Sequence, residues 1–206
     1  MRPTRIPLFP LDVVLLPGTA LPLHIFEPRY KLMIHRCLSE EIEFGMIYAT
    51  GKGVATVGCT AEIVQKMKQY PDGRMDILTQ GRAAFKLLQL LQERDYHEGV
   101  VEYLPEELSP DDPQKNARLN RLLQECHILL YGQAWVDSDE EREFSLGYRI
   151  ASRLPLGLEQ KQLILEMRAE GERCDFLEKW LAEFVPKLAH VHSAKKRGAG
   201  NGHGPN

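Results

Sequence analysis

The 206-residue sequence lacks a long apolar segment, a paired-cysteine motif and an excess of positive charge. No run approaches the roughly eighteen uncharged apolar residues of a membrane span, and prolines break the apolar N-terminus, which argues against a signal peptide. The four cysteines are scattered without a C-x-x-C pair, so we expect reduced, mostly buried thiols. The net charge of −3 provides no general field for phosphate neutralisation. These absences predict a cytoplasmic protein that neither enters membranes nor depends on nucleic acid.

Catalytic and cofactor-binding motifs are also missing from the sequence. The segment 45–53 has five residues between its first two glycines, where a phosphate-binding loop needs four, and it ends in Gly53, where that loop needs Ser or Thr. There is no G-x-S-x-G elbow and no H-E-x-x-H motif. His190 and His192 lie close to the C-terminus, which favours solvated side chains over metal ligands. The sequence therefore predicts no catalytic residue, no cofactor and no metal site.

Prolines shape the first thirty residues of the chain. Pro7 and Pro10 remove backbone donors, so the first strand is predicted to lie at a sheet edge or to be interrupted there, which gives the fold an irregular edge at its start. The dipeptide Pro17-Gly18 predicts a turn with positive φ at the glycine, and residues 21–26 predict a second strand. Apolar residues then recur at helical spacing and predict a helix over Pro28–Ser39, with the proline in its first turn.

Strand-forming runs continue to about residue 104. Asp72-Gly73 lies between two such runs and is a strong hairpin signal. Gly81-Arg82 predicts a bulge or bend that separates a strand over residues 75–78 from another over residues 84–91. The leucine-rich run 84–91 would also suit a helix, but its neighbours favour a second hairpin with residues 96–103. The pattern indicates an antiparallel barrel or sandwich with one early helix.

Proline and acidic residues collect at 104–113, where the strand-forming residues end. Beyond this segment, apolar residues at helical spacing predict four helices. The sequence from Ser193 onward has no apolar content to repay ordering entropy. We therefore predict three parts: a β domain over residues 1–105, a helical bundle over residues 106–190 and a disordered tail over residues 191–206.

Several ordered motifs resemble the N-terminal domain of the ATP-dependent Lon proteases, here occurring alone. They are IPLFPL at 6–11, LLPG at 15–18, LPLHIFEPRY at 21–30, FG at 44–45, VGC at 57–59 and DGRM at 72–75. A looser likeness continues into the helical segment through LPL at 154–156. The resemblance implies an α+β fold, namely a PUA-like β-pseudobarrel, mostly antiparallel, followed by a C-terminal helical bundle.

The same resemblance implies a function. In Lon this domain recognises unfolded or degron-bearing polypeptides, so we expect a non-catalytic recognition module with such polypeptides as partners and Lon protease as a candidate partner. The ATPase and serine-lysine peptidase domains of Lon have no counterpart among the motifs of this sequence. RNA binding is the alternative, because PUA-like barrels in other families contact RNA. The acidic net charge opposes it, and Lys66, Lys68 and Arg74 form only a modest basic cluster.

Polypeptide binding would be non-covalent and largely apolar. An unfolded segment can extend a sheet edge or place apolar side chains in a groove. Prolines interrupt the edge near Phe9, so the sequence favours a groove between barrel and bundle. We predict that Phe9, Phe26 and Tyr30 contribute to it from the barrel side. Tyr30 also falls on the apolar face of the predicted helix, which favours a place in the core.

Overall fold

The computed structural model describes residues 3–51, 53–107, 112–136 and 141–200. The strands in these ranges are β1 (Arg5–Leu11), β2 (Ala20–Ile25), β3 (Phe44–Thr50), β4 (Gly53–Val54), β5 (Val57–Gln69), β6 (Met75–Leu91) and β7 (Glu98–Tyr103). The α-helices are α1 (Pro28–Glu40), α2 (Pro113–Tyr131), α3 (Leu146–Arg153), α4 (Leu158–Glu166) and α5 (Glu170–Gly200). A short 3-10 helix, Glu141–Glu143, precedes α3. The predicted α+β class is confirmed.

Strand β1 closes the sheet into a barrel. Its first half pairs antiparallel with β7, with Pro7 opposite Glu98, and its second half pairs parallel with β3, with Leu8 opposite Gly45. The prediction that β1 lies at a sheet edge is therefore wrong, whereas the alternative, an interrupted strand, agrees with the change of partner after Pro7. Because β1 changes partner after Pro7, its two prolines belong to different ladders, and neither ladder has to lose two backbone donors.

Strand β6 runs unbroken for 17 residues, where the sequence predicts two strands. One edge of β6 pairs first with β2 and then with β7, while β5 lies along the other edge. The change of partner falls near Gly81, where a Cβ atom would lie only 2.2 Å from the carbonyl oxygen of Leu16. The register against β5 also shifts here, between the pairs Ala61–Gly81 and Cys59–Ala84, so the predicted bulge is confirmed. The bulge does not divide the strand in two, and Gly81 marks a close approach of two backbones within a continuous β6.

Both predicted hairpins and the early helix are confirmed. The β5–β6 hairpin turns at Gly73, which has a φ of 81°, and the run 84–91 is a strand that pairs with β7. Helix α1 begins at Pro28 and ends against Glu41, which adopts a left-handed conformation with a φ of 53°. The apolar side of α1 fills the barrel core. All four cysteines are buried free thiols, as the sequence predicts.

The helices and the barrel share one hydrophobic cluster. Leu177 and Leu181 of α5 belong to the same cluster as the barrel residues Met33 and Ile77. The division at residues 105–106 therefore stays a prediction, because no separate core marks it. Helix α5 continues through Gly200, beyond residue 191 where the sequence predicts the start of the tail. A formed helix extends at little cost, one hydrogen bond for each residue ordered. Residues 201–206 lie outside the described residues.

A buried arginine joins the helices to the segment that leaves the barrel. Arg173 of α5 is fully buried and pairs with Glu170 at 2.8 Å and with Glu106 at 3.1 Å. Its guanidinium also lies 4.2 Å from the ring centroid of Tyr148 on α3 and donates to the carbonyl oxygen of Met167 at 2.8 Å. Burial raises the pKa of the Tyr148 hydroxyl to about 12. Arg173 therefore connects α3, α5 and the exit segment of the barrel.

A buried carboxylate joins two strands and a helix of the barrel. The side chain of Glu98 on β7 is 2% exposed and pairs with Arg5 of β1 and, at 2.7 Å, with Arg36 of α1. Arg94 approaches the same carboxylate at 3.4 Å. Burial alone would raise the pKa of Glu98, but the hydrogen bonds from Arg5 and Arg36 outweigh it and hold this pKa below its ordinary value.

In the described part of the chain, no helix is long and apolar enough to cross a membrane.

Replacing Gly81 with alanine tests the close approach to Leu16. The new methyl group would overlap a backbone carbonyl that cannot rotate away, so we expect the free energy of unfolding to fall by about 1–3 kcal/mol. Gly51→Ala is the matched control, because a Cβ atom there would meet nothing within 4 Å. Urea denaturation of both variants measures the difference, and equal stability of the two would contradict the described packing.

Replacing Glu98 with glutamine tests the buried ion pairs. Glu98 is buried, whereas its arginine partners are partly exposed and water can hydrate them after the substitution. We therefore expect the free energy of unfolding to fall by about 1–3 kcal/mol. Because the pKa of Glu98 is lowered on folding, its stabilisation is complete above the unfolded value of about 4.3 and is lost as the pH falls through the lower folded value. Denaturation curves of Glu98→Gln should therefore depend less on pH below about 4.3 than those of the unmodified protein. Glu93→Gln, at an exposed partner of Arg5, should change neither property appreciably.

Candidate functional site

Aromatic and charged side chains meet on the outer face of β2 and of the β5–β6 hairpin. The strand register places His24 opposite Asp76 and Asp76 opposite Lys68, so β2, β6 and β5 each contribute one side chain to a row across the sheet. Alternate residues of β6, such as Ile77, point into the core. We call this outer group the hairpin face, and it comprises His24, Phe26, Lys68, Tyr70, Arg74 and Asp76.

Asp76 organises the centre of the hairpin face. Its Oδ1 atom lies 2.5 Å from Nδ1 of His24, and its Oδ2 atom accepts a hydrogen bond of 2.9 Å from the hydroxyl of Tyr70. These hydrogen bonds, with that of His24 the stronger influence, lower the pKa of the Asp76 carboxyl. Asp76 is therefore a carboxylate that fixes the orientations of an imidazole and a phenol on the surface.

Two cations lie against the ring of Tyr70. The Nζ atom of Lys68 is 4.4 Å from the ring centroid, and the guanidinium carbon of Arg74 is 5.0 Å from it. The Nε atom of Arg74 also donates to Asp72 at 2.6 Å, which holds the arginine beside the hairpin turn. The rim of the hairpin face therefore carries positive charge over an aromatic surface.

Of the three residues that the sequence predicts for the binding site, only Phe26 is on the surface. Its ring is 58% exposed and stacks on the imidazole of His24 with a centroid distance of 6.0 Å. Phe9 and Tyr30 are both 5% exposed, and their ring centroids lie 4.1 Å apart in the core. The structure therefore does not bring the three rings together on one surface, and contact between a bound chain and Phe9 or Tyr30 would require the core to open.

A cleft lies between the barrel and the helices, and none of these three rings lines it. It encloses about 300 Å³ between β6, the segment that follows β7, and the start of α3. Arg82, Glu106 and Glu143 contribute charge to its walls, and Phe144 and Tyr148 contribute rings. This cleft is a mixed polar surface, in contrast to the predicted apolar groove.

The chemistry of the hairpin face is suited to binding. In the described chain, Asp76 forms hydrogen bonds with His24 and Tyr70. Neither partner is a serine or cysteine nucleophile of the kind that an adjacent base activates. The described residues also contain no group of three or more His, Cys, Asp or Glu side chains able to hold a metal ion. Stacking on Phe26, apolar contact and hydrogen bonding to fixed polar groups are the interactions that this face offers.

Sequence reasoning missed His24, Tyr70 and Asp76 as members of one group. The Asp72-Gly73 turn predicts the hairpin that brings Tyr70 near Arg74, and this local signal was sufficient to place Lys68 in a basic cluster. The position of β2 beside β6 depends on pairing between residues about fifty apart, as for His24 and Asp76. No local pattern encodes that pairing.

The closed barrel, the outward hairpin and the attached helices define a PUA-like β-pseudobarrel with a helical bundle. Comparison with known proteins then gives the family. The chain belongs to the ATP-dependent protease La (LON) substrate-binding domain family, whose model matches residues 5–183.

Solved structures agree with this assignment. The crystal structure of a Lon N-terminal domain protein from Xanthomonas campestris is similar with a TM-score of 0.68 and 27% identity, covering 86% of this chain and 98% of that one. The N-terminal domain of the Mycobacterium avium complex Lon protease is similar with a TM-score of 0.65 over the same shares, and at 18% identity this likeness shows the fold alone.

The curated relatives are named as Lon proteases. Lon protease 2 of Syntrophobacter fumaroxidans is 26% identical over 179 residues, which are 80% of this chain and 22% of the relative. The Lon protease of Geobacter metallireducens is 25% identical over 218 residues, which are 96% of this chain and 26% of the relative. The chain thus spans about a quarter of the length of these relatives.

The titration of Asp76 tests the network of the hairpin face. Because His24 and Tyr70 both stabilise the carboxylate, its titration midpoint should lie below the ordinary value of 3.8. His24→Ala should raise the midpoint more than Tyr70→Phe does, since the hydrogen bond from His24 has the larger effect on this pKa. NMR of the side-chain carboxyl carbon against pH measures each midpoint, and a midpoint that neither substitution moves would show that the network does not form.

Proposed function

We propose that this protein is a non-catalytic recognition module that binds unfolded or degron-bearing polypeptides through the hairpin face. The observation that carries the proposal is the match of the LON substrate-binding domain family over residues 5–183, a range that includes every residue of the hairpin face. The family description supports binding of protein substrates. The surface, the class of segment bound and the absence of catalysis are our inferences.

Phe26 is the centre of the proposed contact. An exposed aromatic ring held by stacking on His24 loses little conformational entropy when a partner covers it. Burying such a ring against an apolar side chain removes a large area from water, which is why aromatic residues dominate binding energies at interfaces. Pro22 and Leu78, which are paired across β2 and β6, extend the same outer face. Unfolded chains expose apolar side chains that folded proteins bury, so such a surface discriminates between the two states.

The hairpin face is a better candidate than the cleft between barrel and helices. Phe144 of the cleft packs on the turn at Gly18, where an added Cβ atom would lie 2.7 Å from the phenylalanine ring. The Arg82 guanidinium also lies 6.0 Å from that ring. These contacts use the cleft to hold the helices on the barrel, whereas the exposed ring of Phe26 stacks on a surface residue, His24.

The polypeptide could be a client of Lon protease, and Lon itself is a candidate partner of this module. Nucleic acid is the less favoured ligand. The net charge is −3, and the cations of the hairpin face, Lys68 and Arg74, both lie against the ring of Tyr70, where they would compete with a stacking base. A single-stranded RNA is therefore the control ligand for the binding experiment.

Replacing Phe26 with alanine tests the proposal. We expect the affinity for a labelled, permanently unfolded polypeptide to weaken at least about tenfold, as for the loss of a central aromatic anchor. Fluorescence anisotropy measures the affinity, with a folded protein and a single-stranded RNA as control ligands. Leu88→Ala is the matched control variant, because Leu88 is 57% exposed on the distant half of β6.

The outcomes separate the alternatives. Binding of the unfolded chain that Phe26→Ala weakens and Leu88→Ala preserves would support the hairpin face. Binding that both variants preserve would place recognition elsewhere on the molecule. If only the RNA bound, polypeptide recognition would be refuted and the RNA-binding alternative would take its place.

A further inference from the structure

A second groove lies at the other end of α1 from Phe26. It encloses about 560 Å³ between the C-terminal end of α1, the segment that leads into β3, and β5. We call it the α1–β5 groove, and its lining residues are Cys37, Leu38, Glu41, Ile42, Glu43, Glu62 and Ile63.

The floor of the α1–β5 groove is apolar. Cys37 is buried, and Leu38, Ile42 and Ile63 are partly buried side chains that pack against the main hydrophobic cluster. Burial raises the pKa of the Cys37 thiol to about 12, so this thiol is neutral and inert. The floor therefore offers an apolar side chain a place beside the core.

Carboxylates form the rim of the groove, and two of them lack a cation. Glu62 pairs with Arg82 at 2.5 Å. Within the described residues, Glu41 and Glu43 form no ion pair and accept no side-chain hydrogen bond. Glu43 is half-buried, and its buried Oε2 atom has no hydrogen-bonding partner among the described residues. Buried carboxylate oxygens are normally satisfied, so this oxygen is an acceptor that a cation or donor of a ligand would satisfy.

These carboxylates lie at a helix end where negative charge is unfavourable. Glu40, Glu41 and Glu43 cluster at the C-terminal end of α1, which carries the negative end of the helix dipole, and the last turn of α1 has no basic residue. Arg36 pairs with Glu40 at 3.0 Å, which leaves the other two uncompensated. These two charges therefore do not stabilise the free protein, but they are positioned to pair with a cationic ligand.

The free edge of β5 adjoins the groove. The ladder between β3 and β5 ends where Phe44 is opposite Ala61, and β5 continues to Gln69. From Glu62 onward, β5 therefore has no strand partner on that side among the described residues. The register against β6 shifts at Val64 and again at Met67, and such bulges limit strand addition to a short stretch.

We propose that the α1–β5 groove binds a short extended polypeptide segment in which an apolar side chain is flanked by lysine or arginine. The apolar side chain contacts the floor at Leu38 and Ile42, and the flanking cations pair with Glu41 and Glu43. The backbone of the segment pairs with β5 beside Ile63. This inference rests on the polypeptide recognition proposed above and adds a second, acidic surface to the hairpin face.

The test uses the full-length chain and two labelled peptides. One peptide has a central leucine flanked by lysines, and the other has glutamates in place of the lysines. We expect fluorescence anisotropy to show saturable binding of the lysine peptide, at least about tenfold tighter than that of the glutamate peptide and weaker at higher salt.

Two variants locate the binding. The double substitution Glu41→Gln and Glu43→Gln should weaken binding of the lysine peptide at least about tenfold, since it removes both unpaired charges. It should leave the melting temperature unchanged or higher, because charges without partners do not stabilise the free protein. Glu102→Gln, at an exposed glutamate of β7, is the matched control and should change neither quantity.

The results distinguish this proposal from the one on which it rests. Equal affinity for the two peptides, or unchanged affinity in the double variant, would overturn the groove proposal and leave binding at Phe26 untouched. A large fall in the melting temperature of the double variant would also overturn it, because the two carboxylates would then be structural. Phe26→Ala should preserve binding of the lysine peptide, and loss of that binding would show that the hairpin face holds both ligands.

Discussion

The barrel depends on the ion pairs of one buried carboxylate. Glu98 on β7 joins Arg5 of β1 to Arg36 of α1, so the same side chain supports the closure of the sheet and the seating of the helix that fills it. Leaving a carboxylate buried without cations would be costly, and this makes the two arrangements interdependent. Helix α1 in turn separates two surfaces, since Phe26 precedes its first turn and Glu41 follows its last. The contacts of Glu98 therefore help to hold the helix whose two ends lie beside the candidate sites.

Local patterns in the sequence predicted the elements whose conformation depends on neighbouring residues. Pro28 and the apolar spacing after it predicted α1, and Asp72-Gly73 predicted the hairpin, because turns and helix starts depend on residues a few positions apart. The edge prediction for β1 failed for the opposite reason. Whether a strand is an edge depends on its partners, and those of β1 lie about forty and ninety residues away.

The candidate site shows the same limit at the level of side chains. Phe9, Phe26 and Tyr30 all occur within the first thirty residues and have similar apolar character, yet two are in the core and one is on the surface. Chain direction around Pro28 and the packing of α1 decide which ring is covered, and both are tertiary properties. The residues that hold Phe26 in place were missed because β2 meets β6 only in the folded barrel, where Asp76 bonds to His24.

The two surfaces at the ends of α1 have opposite chemistry, and their spacing suits an extended chain. A helix of 13 residues is about 20 Å long, a distance that an extended polypeptide covers in about six residues. One unfolded chain could therefore contact the hairpin face with an aromatic or acidic stretch and the α1–β5 groove with a basic one. Binding the first stretch raises the effective concentration of the second, so two weak contacts produce a tighter one. Folded proteins rarely present such stretches extended and together, and selectivity for unfolded chains would follow from the spacing as much as from either surface.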